Sequence, residues 1–204
     1  MSKTAKQPES FSKTLNDWLK NSPDKTLSGL ITMAGEKSFA VLFVIMMALP
    51  ALPIPTGGVT HVTEILTVIG SSQLIIGRRT IWIPRRWRKL DIGKFMTGRA
   101  VTKLIGVIAW FENWSRQRWS GLLAKRPVIT LLGLIITLFT VAAFVAVPFS
   151  GLDTLPAMGV VVISLGMILE DSLMVLLGII LGSVGIGLEI AAGTALYSGL
   201  THLF

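Results

Sequence analysis

The chain has 204 residues, of which 51% are hydrophobic and only 15% charged, and its mean hydropathy is +0.69. Soluble domains are usually about one quarter charged, so these values favour a membrane protein. The chain contains no cysteine, which excludes disulfides, thiolate metal sites and cysteine nucleophiles. A net charge of +8 is typical of nucleic-acid-binding proteins, but the basic residues lie between hydrophobic segments, so we expect no nucleic acid as a partner.

The positive charge is concentrated in one segment. Residues 78–126 contain 13 basic and two acidic residues, whereas residues 127–204 contain four acidic residues and neither lysine nor arginine. Basic segments beside apolar ones are retained in the cytoplasm. The sequence therefore predicts a multi-pass integral membrane protein with residues 78–126 and the N-terminus on the cytoplasmic side.

Residues 1–26 form a polar N-terminal segment without the apolar stretch of a secretory signal. Within it, Phe11, Leu15, Trp18 and Leu19 follow a helical spacing. This spacing indicates a short helix on the membrane surface. A soluble tail is the alternative interpretation.

A first membrane half is predicted over residues 27–77. Its uninterrupted apolar run, Phe39–Leu49, is shorter than the roughly 20 residues that a helix needs to cross a bilayer. Prolines and glycines then break the helix, because proline lacks an amide donor and glycine permits a tight reversal. The residues of this break are Pro50, Pro53, Pro55, Gly57 and Gly58. A second apolar stretch follows over Val59–Ile76.

The second half, residues 127–204, repeats this order. Val128–Val147 is an apolar run of spanning length, Pro148 and Pro156 bound a second break, and Ala157–Leu169 is a short apolar run. We therefore expect an all-α fold with two internal repeats of Pro/Gly-broken or re-entrant helices. Such paired breaks are typical of transporter sites near the bilayer midplane. The alternative is that both breaks are loops at the far membrane surface.

The segment between the halves, residues 78–126, is predicted to be a basic amphipathic linker. Tryptophan favours the headgroup level of a bilayer, and basic residues favour anionic lipids. A solvated cationic loop is the alternative. The tryptophans expected at the membrane interface are Trp82, Trp87, Trp110, Trp114 and Trp119.

Few residues are candidates for chemistry, and no nucleotide-binding, protease or paired-histidine motif occurs. We therefore expect no enzyme, catalytic residue, metal or cofactor. Ionisable groups within apolar segments are functional candidates, which singles out Glu64 and the pair Glu170-Asp171. That pair is a proton or cation relay, a counter-charge for Arg78 and Arg79, or a helix cap at the periplasmic face. If the pair is ionised and buried, its partner is expected from residues 78–126 or from a second subunit; otherwise the pair faces water or holds a proton. Glu189 is expected at the lipid headgroups or at the surface.

Two stretches carry a resemblance to a known family. The first is Gln73-Leu74-Ile75-Ile76-Gly77-Arg78-Arg79, followed by Trp82 and Pro84, and the second is Gly166-Met167-Ile168-Leu169-Glu170-Asp171. With the Pro50 and Pro148 breaks, these stretches resemble the ExoD-like exopolysaccharide-synthesis family of bacteria over roughly residues 27–190. The resemblance implies an inner-membrane protein associated with exopolysaccharide production, and it implies no catalytic residues.

The sequence thus predicts a small transporter or channel for an anionic or ion-coupled solute, acting as a homodimer in the bilayer. The alternative is a non-transporting scaffold of the polysaccharide-synthesis machinery, and a third interpretation is an intramembrane enzyme that acts on a lipid-linked sugar. The predicted solute or ion pathway consists of Pro50, Pro53, Pro55, Gly57, Gly58, Glu64, Gln73, Arg78, Arg79, Pro148, Pro156, Glu170 and Asp171.

Overall fold

The backbone is helical in most of the residues that the computed structural model describes, which are 10–53, 59–92, 99–115, 120–123, 125–146 and 150–201. Within that part, one antiparallel bridge joins Thr26 to Asp91. The helices are α1 (Phe11–Asn21), α2 (Leu27–Ala34), α3 (Ser38–Met47), α4 (Val59–Ile75), α5 (Arg85–Arg88), α6 (Arg99–Trp114), α7 (Ser120–Leu123), α8 (Arg126–Val145), α9 (Thr154–Leu169) and α10 (Ser172–Thr201).

Three helical stretches are long and apolar enough to cross a membrane, namely Leu27–Met47, Arg126–Val145 and Ser172–Ala195. A fourth apolar helix, α9, is shorter. These lengths fit a membrane protein. The prediction of an all-helical fold is confirmed for the described residues, with three helices that are candidates to span the membrane. The internal repeat and the re-entrant helices stay predictions.

A bundle of α3, α4, α8, α9 and α10 forms the apolar centre of the molecule. In this bundle α4 packs against α8, α3 against α9, and α9 against α10. Buried side chains from these helices, including Phe43, Ile136 and Ile163, form one continuous cluster. The outward sides of α8 and α10 expose large apolar residues such as Leu138 and Leu177, as expected for surfaces that face lipid.

Helices α9 and α10 run antiparallel at unusually short separation. A Cβ on Gly159 would lie 2.7 Å from the Cα of Gly182, and a Cβ on Gly178 would lie 2.6 Å from the backbone nitrogen of Ile163. Small residues permit such close backbone contact between membrane helices. Gly178, Gly182 and Gly185 of the last apolar run are therefore packing residues within one chain, whereas Gly187 and Gly193 have no such neighbour among the described residues.

The bundle has two ends, which we name by their position relative to the basic linker. At the linker face, residues 36, 37, 77–79, 126 and 170 line a common cleft. At the opposite end, the far face, the ring of His61 contacts the ring of Phe144 with 4.8 Å between centroids. Helices α3, α8 and α10 run from the linker face to the far face, and α4 and α9 return.

The observed breaks differ in part from the predicted ones. The apolar stretch that precedes Pro50 is divided at Gly35, whose φ of 55° ends α2 before a 3₁₀ turn that leads into α3. Pro156 was predicted to close the second break, but it is buried inside the first turn of α9. Proline is tolerated there because the first amides of a helix have no intrahelical acceptor.

Pro50 and Pro53 follow α3 in a turn that begins with a bond from the amide of Ala51 to the carbonyl of Met47. The other predicted break residues, Pro55, Gly57, Gly58 and Pro148, lie outside the described residues.

The N-terminal segment and the linker pack together beside the linker face. Helix α1 lies against α6, and the Glu112 carboxylate accepts bonds from the Ser12 amide at 2.9 Å and from the Ser12 hydroxyl. A carboxylate is favourable there because a helix N-terminus carries partial positive charge. Leu15 and Ile108 are buried in the cluster below, whereas Trp110 and Trp114 are exposed.

Trp82 and Trp87 are also exposed, and Trp119 lies outside the described residues. In the N-terminal segment, the short helix predicted from the spacing of apolar residues is observed as α1, Phe11–Asn21.

Candidate functional site

An open cleft of about 690 Å³ lies at the linker face, between the two halves of the chain. Both halves contribute to its walls, and its lining combines apolar and charged side chains. The lining residues are Glu36, Lys37, Phe39, Ala40, Leu74, Gly77, Arg78, Arg79, Gly121, Leu123, Arg126, Ile129, Met167 and Glu170.

The charged residues of the cleft are four cations and two carboxylates. Two of the cations are paired: Lys37 Nζ lies 3.0 Å from Glu170 Oε1, and an Arg79 amine lies 3.3 Å from Glu36 Oε1. These pairs account for both carboxylates, so the described lining residues carry two positive charges in excess.

The two remaining arginines have no carboxylate partner among the described residues. The Arg78 guanidinium lies over the ring of Trp82, 5.9 Å from its centroid. The Arg126 guanidinium lies beside Gly77, since a Cβ at Gly77 would be 3.0 Å from two of its nitrogens. Arginine binds carboxylates and phosphates through two parallel hydrogen bonds. The cleft can therefore hold an anionic group between these two side chains.

The end of α4 is what places Arg78 in the cleft. The Gly77 amide donates to the carbonyl of Leu74 at 2.9 Å, and the Arg78 amide donates to that of Gln73 at 3.1 Å. This bond pattern is a Schellman motif, which needs a left-handed residue after the helix. Gly77, with a φ of 87°, meets that need without steric strain.

Gln73, predicted to be a pathway residue, instead holds the backbone of the linker. Its Oε1 accepts a bond from the Trp82 amide at 2.8 Å, and its Nε2 donates to the Trp82 carbonyl at 3.2 Å. This contact fixes the indole on which Arg78 lies. Gln73 therefore acts on the cleft by positioning other residues.

Glu170 and Asp171 lie at the linker face and have separate roles. The cation that pairs with Glu170 is Lys37, from the first half. Because 38% of the Glu170 side chain is exposed, the expectation of a partner for a buried pair stays a prediction. Asp171 caps α10, as its Oδ1 accepts a bond from the Leu173 amide at 3.0 Å. A helix cap was one of the roles predicted for this pair. The prediction placed the cap at the periplasmic face, whereas Asp171 caps α10 at the linker face.

Glu64, another predicted pathway residue, is not part of the cleft. It lies in the second turn of α4, at the far face, whereas Arg78 and Arg79 follow the other end of that helix. A helix rises about 1.5 Å per residue, so roughly 20 Å of α4 separates Glu64 from the arginines. The structure thus divides the predicted pathway between two ends of the bundle.

Three cleft residues, Lys37, Glu36 and Arg126, were not predicted from the sequence. In the sequence, Glu36 and Lys37 are only members of the first half, residues 27–77, and Arg126 is only the last residue of the basic segment 78–126. The signal that was available is their position at the start of apolar helices: Glu36 and Lys37 lie in the turn before α3, and Arg126 is the first residue of α8. The described residues contain no group of three or more His, Cys, Asp or Glu side chains that could hold a metal ion.

Comparison with known proteins agrees with the resemblance noted in the sequence. The sequence model described as "Exopolysaccharide synthesis, ExoD" matches residues 11–191. The chain is also 29% identical over 173 residues to the uncharacterized protein slr1875 of Synechocystis sp. (strain ATCC 27184 / PCC 6803 / Kazusa), which covers 79% of each chain. No solved structure matches.

Proposed function

Since this chain belongs to the ExoD family of exopolysaccharide synthesis, we propose that it is an inner-membrane protein that supports exopolysaccharide synthesis or export by moving an anionic solute. The linker-face cleft is the binding site for that solute, and Arg78 and Arg126 are the residues that hold it. Lys37 and Arg79 supply further positive charge around it.

The observation that carries this proposal is the charge of the cleft. Both of its carboxylates have cationic partners, and two arginines have none among the described residues. Neighbouring cations repel one another. An anion in the cleft would reduce this repulsion, so the excess positive charge favours its binding.

The arrangement of the two halves supports transport over binding alone. Helix α3 of the first half packs on α9 of the second half, and α4 of the first half packs on α8 of the second half. If α3 corresponds to α8 and α4 to α9, these two contacts are equivalent. Each half also has a break at the same end of the bundle. Transporters with repeated halves rock one half against the other around a site between them, and the cleft lies between the halves here.

Uptake into liposomes that contain the purified protein tests the proposal, with labelled glucuronate and inorganic phosphate as probes. Loss of a charge-assisted hydrogen bond costs about 1.5–3 kcal/mol, so Arg126→Ala and Arg78→Ala should each lower uptake about tenfold or more. Arg85→Ala removes the same charge from an exposed linker position outside the cleft and should leave uptake unchanged. Uptake no faster than in empty liposomes, with normal exopolysaccharide yield in Arg126→Ala cells, would refute the proposal.

A scaffold of the synthesis machinery is the second candidate, and the exposed surface of α6 favours it. The rings of Trp110 and Trp114 are in contact, with 5.6 Å between their centroids and 32° between their planes, and both are exposed. Aromatic pairs of this kind bind lipid headgroups or partner proteins. Loss of exopolysaccharide in a Trp110→Ala/Trp114→Ala variant that retains full uptake would favour this role. The predicted homodimer and the predicted synthase partners stay predictions.

A further inference from the structure

A second polar cluster lies inside the bundle at the far face, and the cleft does not include it. Its centre is Glu64, whose side chain is only 1% exposed. Glu64 Oε2 lies 2.9 Å from Nδ1 of His61, one helical turn earlier on α4. Its other oxygen, Oε1, is buried and has no hydrogen-bond partner among the described residues.

Two more carboxyl groups, both from the second half of the chain, complete the cluster. Glu189 of α10 was expected at the surface, but its Oε1 is buried and also has no hydrogen-bond partner among the described residues. Asp153, directly before α9, is close enough to interact electrostatically with both Glu64 and Glu189. The antiparallel packing that brings Gly159 to Gly182 also brings Asp153 opposite Glu189.

The helices around Glu64 add no cation at this end. Helix α3 has no ionisable side chain, and the one in α8, Arg126, lies at the linker face. Helix α9 has none between Asp153 and Glu170. Among the described residues, the cluster therefore consists of three carboxyl groups and one imidazole, and His61 is its only base.

The three carboxyl groups of the cluster cannot all be ionised without a large cost in free energy. A buried carboxylate with an unpaired oxygen loses its hydration without compensation, and neighbouring carboxylates repel it. A proton on the carboxyl group removes the charge and supplies a donor. A divalent cation needs several converging oxygen ligands, and the described residues contain no such group.

We infer that the far-face cluster is a proton-carrying site, in which Glu64 holds a proton inside the membrane and exchanges it with water through His61. The imidazole suits this role because it contacts Glu64 and is itself partly exposed, with 41% of its side chain accessible. Repulsion from Asp153 disfavours the carboxylate form of Glu64 and so favours the bound proton. The site joins both halves of the chain, which lets proton binding bias their relative arrangement.

The inference is separate from anion binding in the cleft, so it needs a readout other than uptake. Infrared difference spectroscopy of the full chain in nanodiscs detects the carbonyl stretch of a protonated carboxyl group directly. We expect that band at neutral pH, its loss in Glu64→Gln, and its retention in Asp17→Asn, which removes a carboxyl group from the exposed side of α1. Absence of the band, or a band that Glu64→Gln leaves unchanged, would overturn the inference.

Two further measurements keep the test decisive if Glu64→Gln folds poorly. In His61→Asn, loss of the imidazole partner should shift the pH midpoint of the band relative to the unmodified protein, and an unshifted midpoint would count against the inference. Sodium added at constant pH should leave the band in place. Its disappearance with sodium would identify a sodium site in the place of the proton site. None of these readouts depends on whether the liposomes take up glucuronate or phosphate.

Discussion

Asp171 is the residue whose side chain connects the longest helix to the basic linker. It is 2% exposed, its Oδ1 caps α10 through the Leu173 amide, and its Oδ2 accepts a bond of 3.1 Å from the Ser115 hydroxyl. Ser115 directly follows α6, so one carboxylate holds two elements that are distant in sequence. Because the Asp171 carboxylate is buried, water compensates little for the loss of these bonds.

Replacement of Asp171 tests this role. Asp171→Ala removes the cap and the bond to Ser115, and it should lower the free energy of unfolding by about 1–3 kcal/mol. Asp171→Asn keeps an acceptor at the cap position and should lower it by less. The measurement is thermal unfolding in detergent, with Glu170→Gln as the control because its ion pair is half exposed and weak. A larger loss in Glu170→Gln than in Asp171→Ala would contradict the assignment.

At the level of helices, the sequence predicted what depends on length and composition. The apolar runs correspond to α3, α4, α8, α9 and α10, because membrane helices are recognised by uninterrupted apolar residues. Contacts between residues that are far apart in the sequence could not be predicted, because a charge pattern does not show which helices are neighbours. The Lys37–Glu170 pair and the approach of Asp153 to Glu189 are examples, so the far-face cluster was invisible in the sequence.

The close packing of α9 and α10 leads to a prediction for single glycines. A Cβ in Gly178→Ala would lie 2.6 Å from a backbone atom of α9, which cannot move independently. We expect a loss of about 1–3 kcal/mol in stability, the usual cost of overpacking. The matched control is Gly187→Ala, where no atom lies within 4 Å and where alanine favours the helix by up to about 1 kcal/mol. Equal unfolding temperatures for the two variants would show that the helices do not pack as described.

For the whole molecule, the linker face and the far face have opposite chemical character. The linker face carries the basic cleft and the tryptophan-bearing helices, and the far face carries the acidic cluster. Basic segments stay in the cytoplasm, so the proposed orientation has the cleft facing the cytoplasm and the His61–Glu64 pair facing the outside. An anion that enters from the cytoplasm and a proton that enters from outside would then use sites at opposite ends of one bundle.

This orientation can be tested directly because the chain has no native cysteine. Single cysteines at Leu52 and Ser150, both exposed beside the two breaks, should react with a membrane-impermeant maleimide added to intact spheroplasts. A cysteine at Lys89, exposed in the linker, should react only after the membrane is opened. Labelling of Leu52→Cys and Lys89→Cys from the same side would contradict the orientation. If the breaks are re-entrant and lie within the bilayer, Leu52→Cys and Ser150→Cys should resist the reagent from both sides, because a maleimide needs a hydrated thiolate to react.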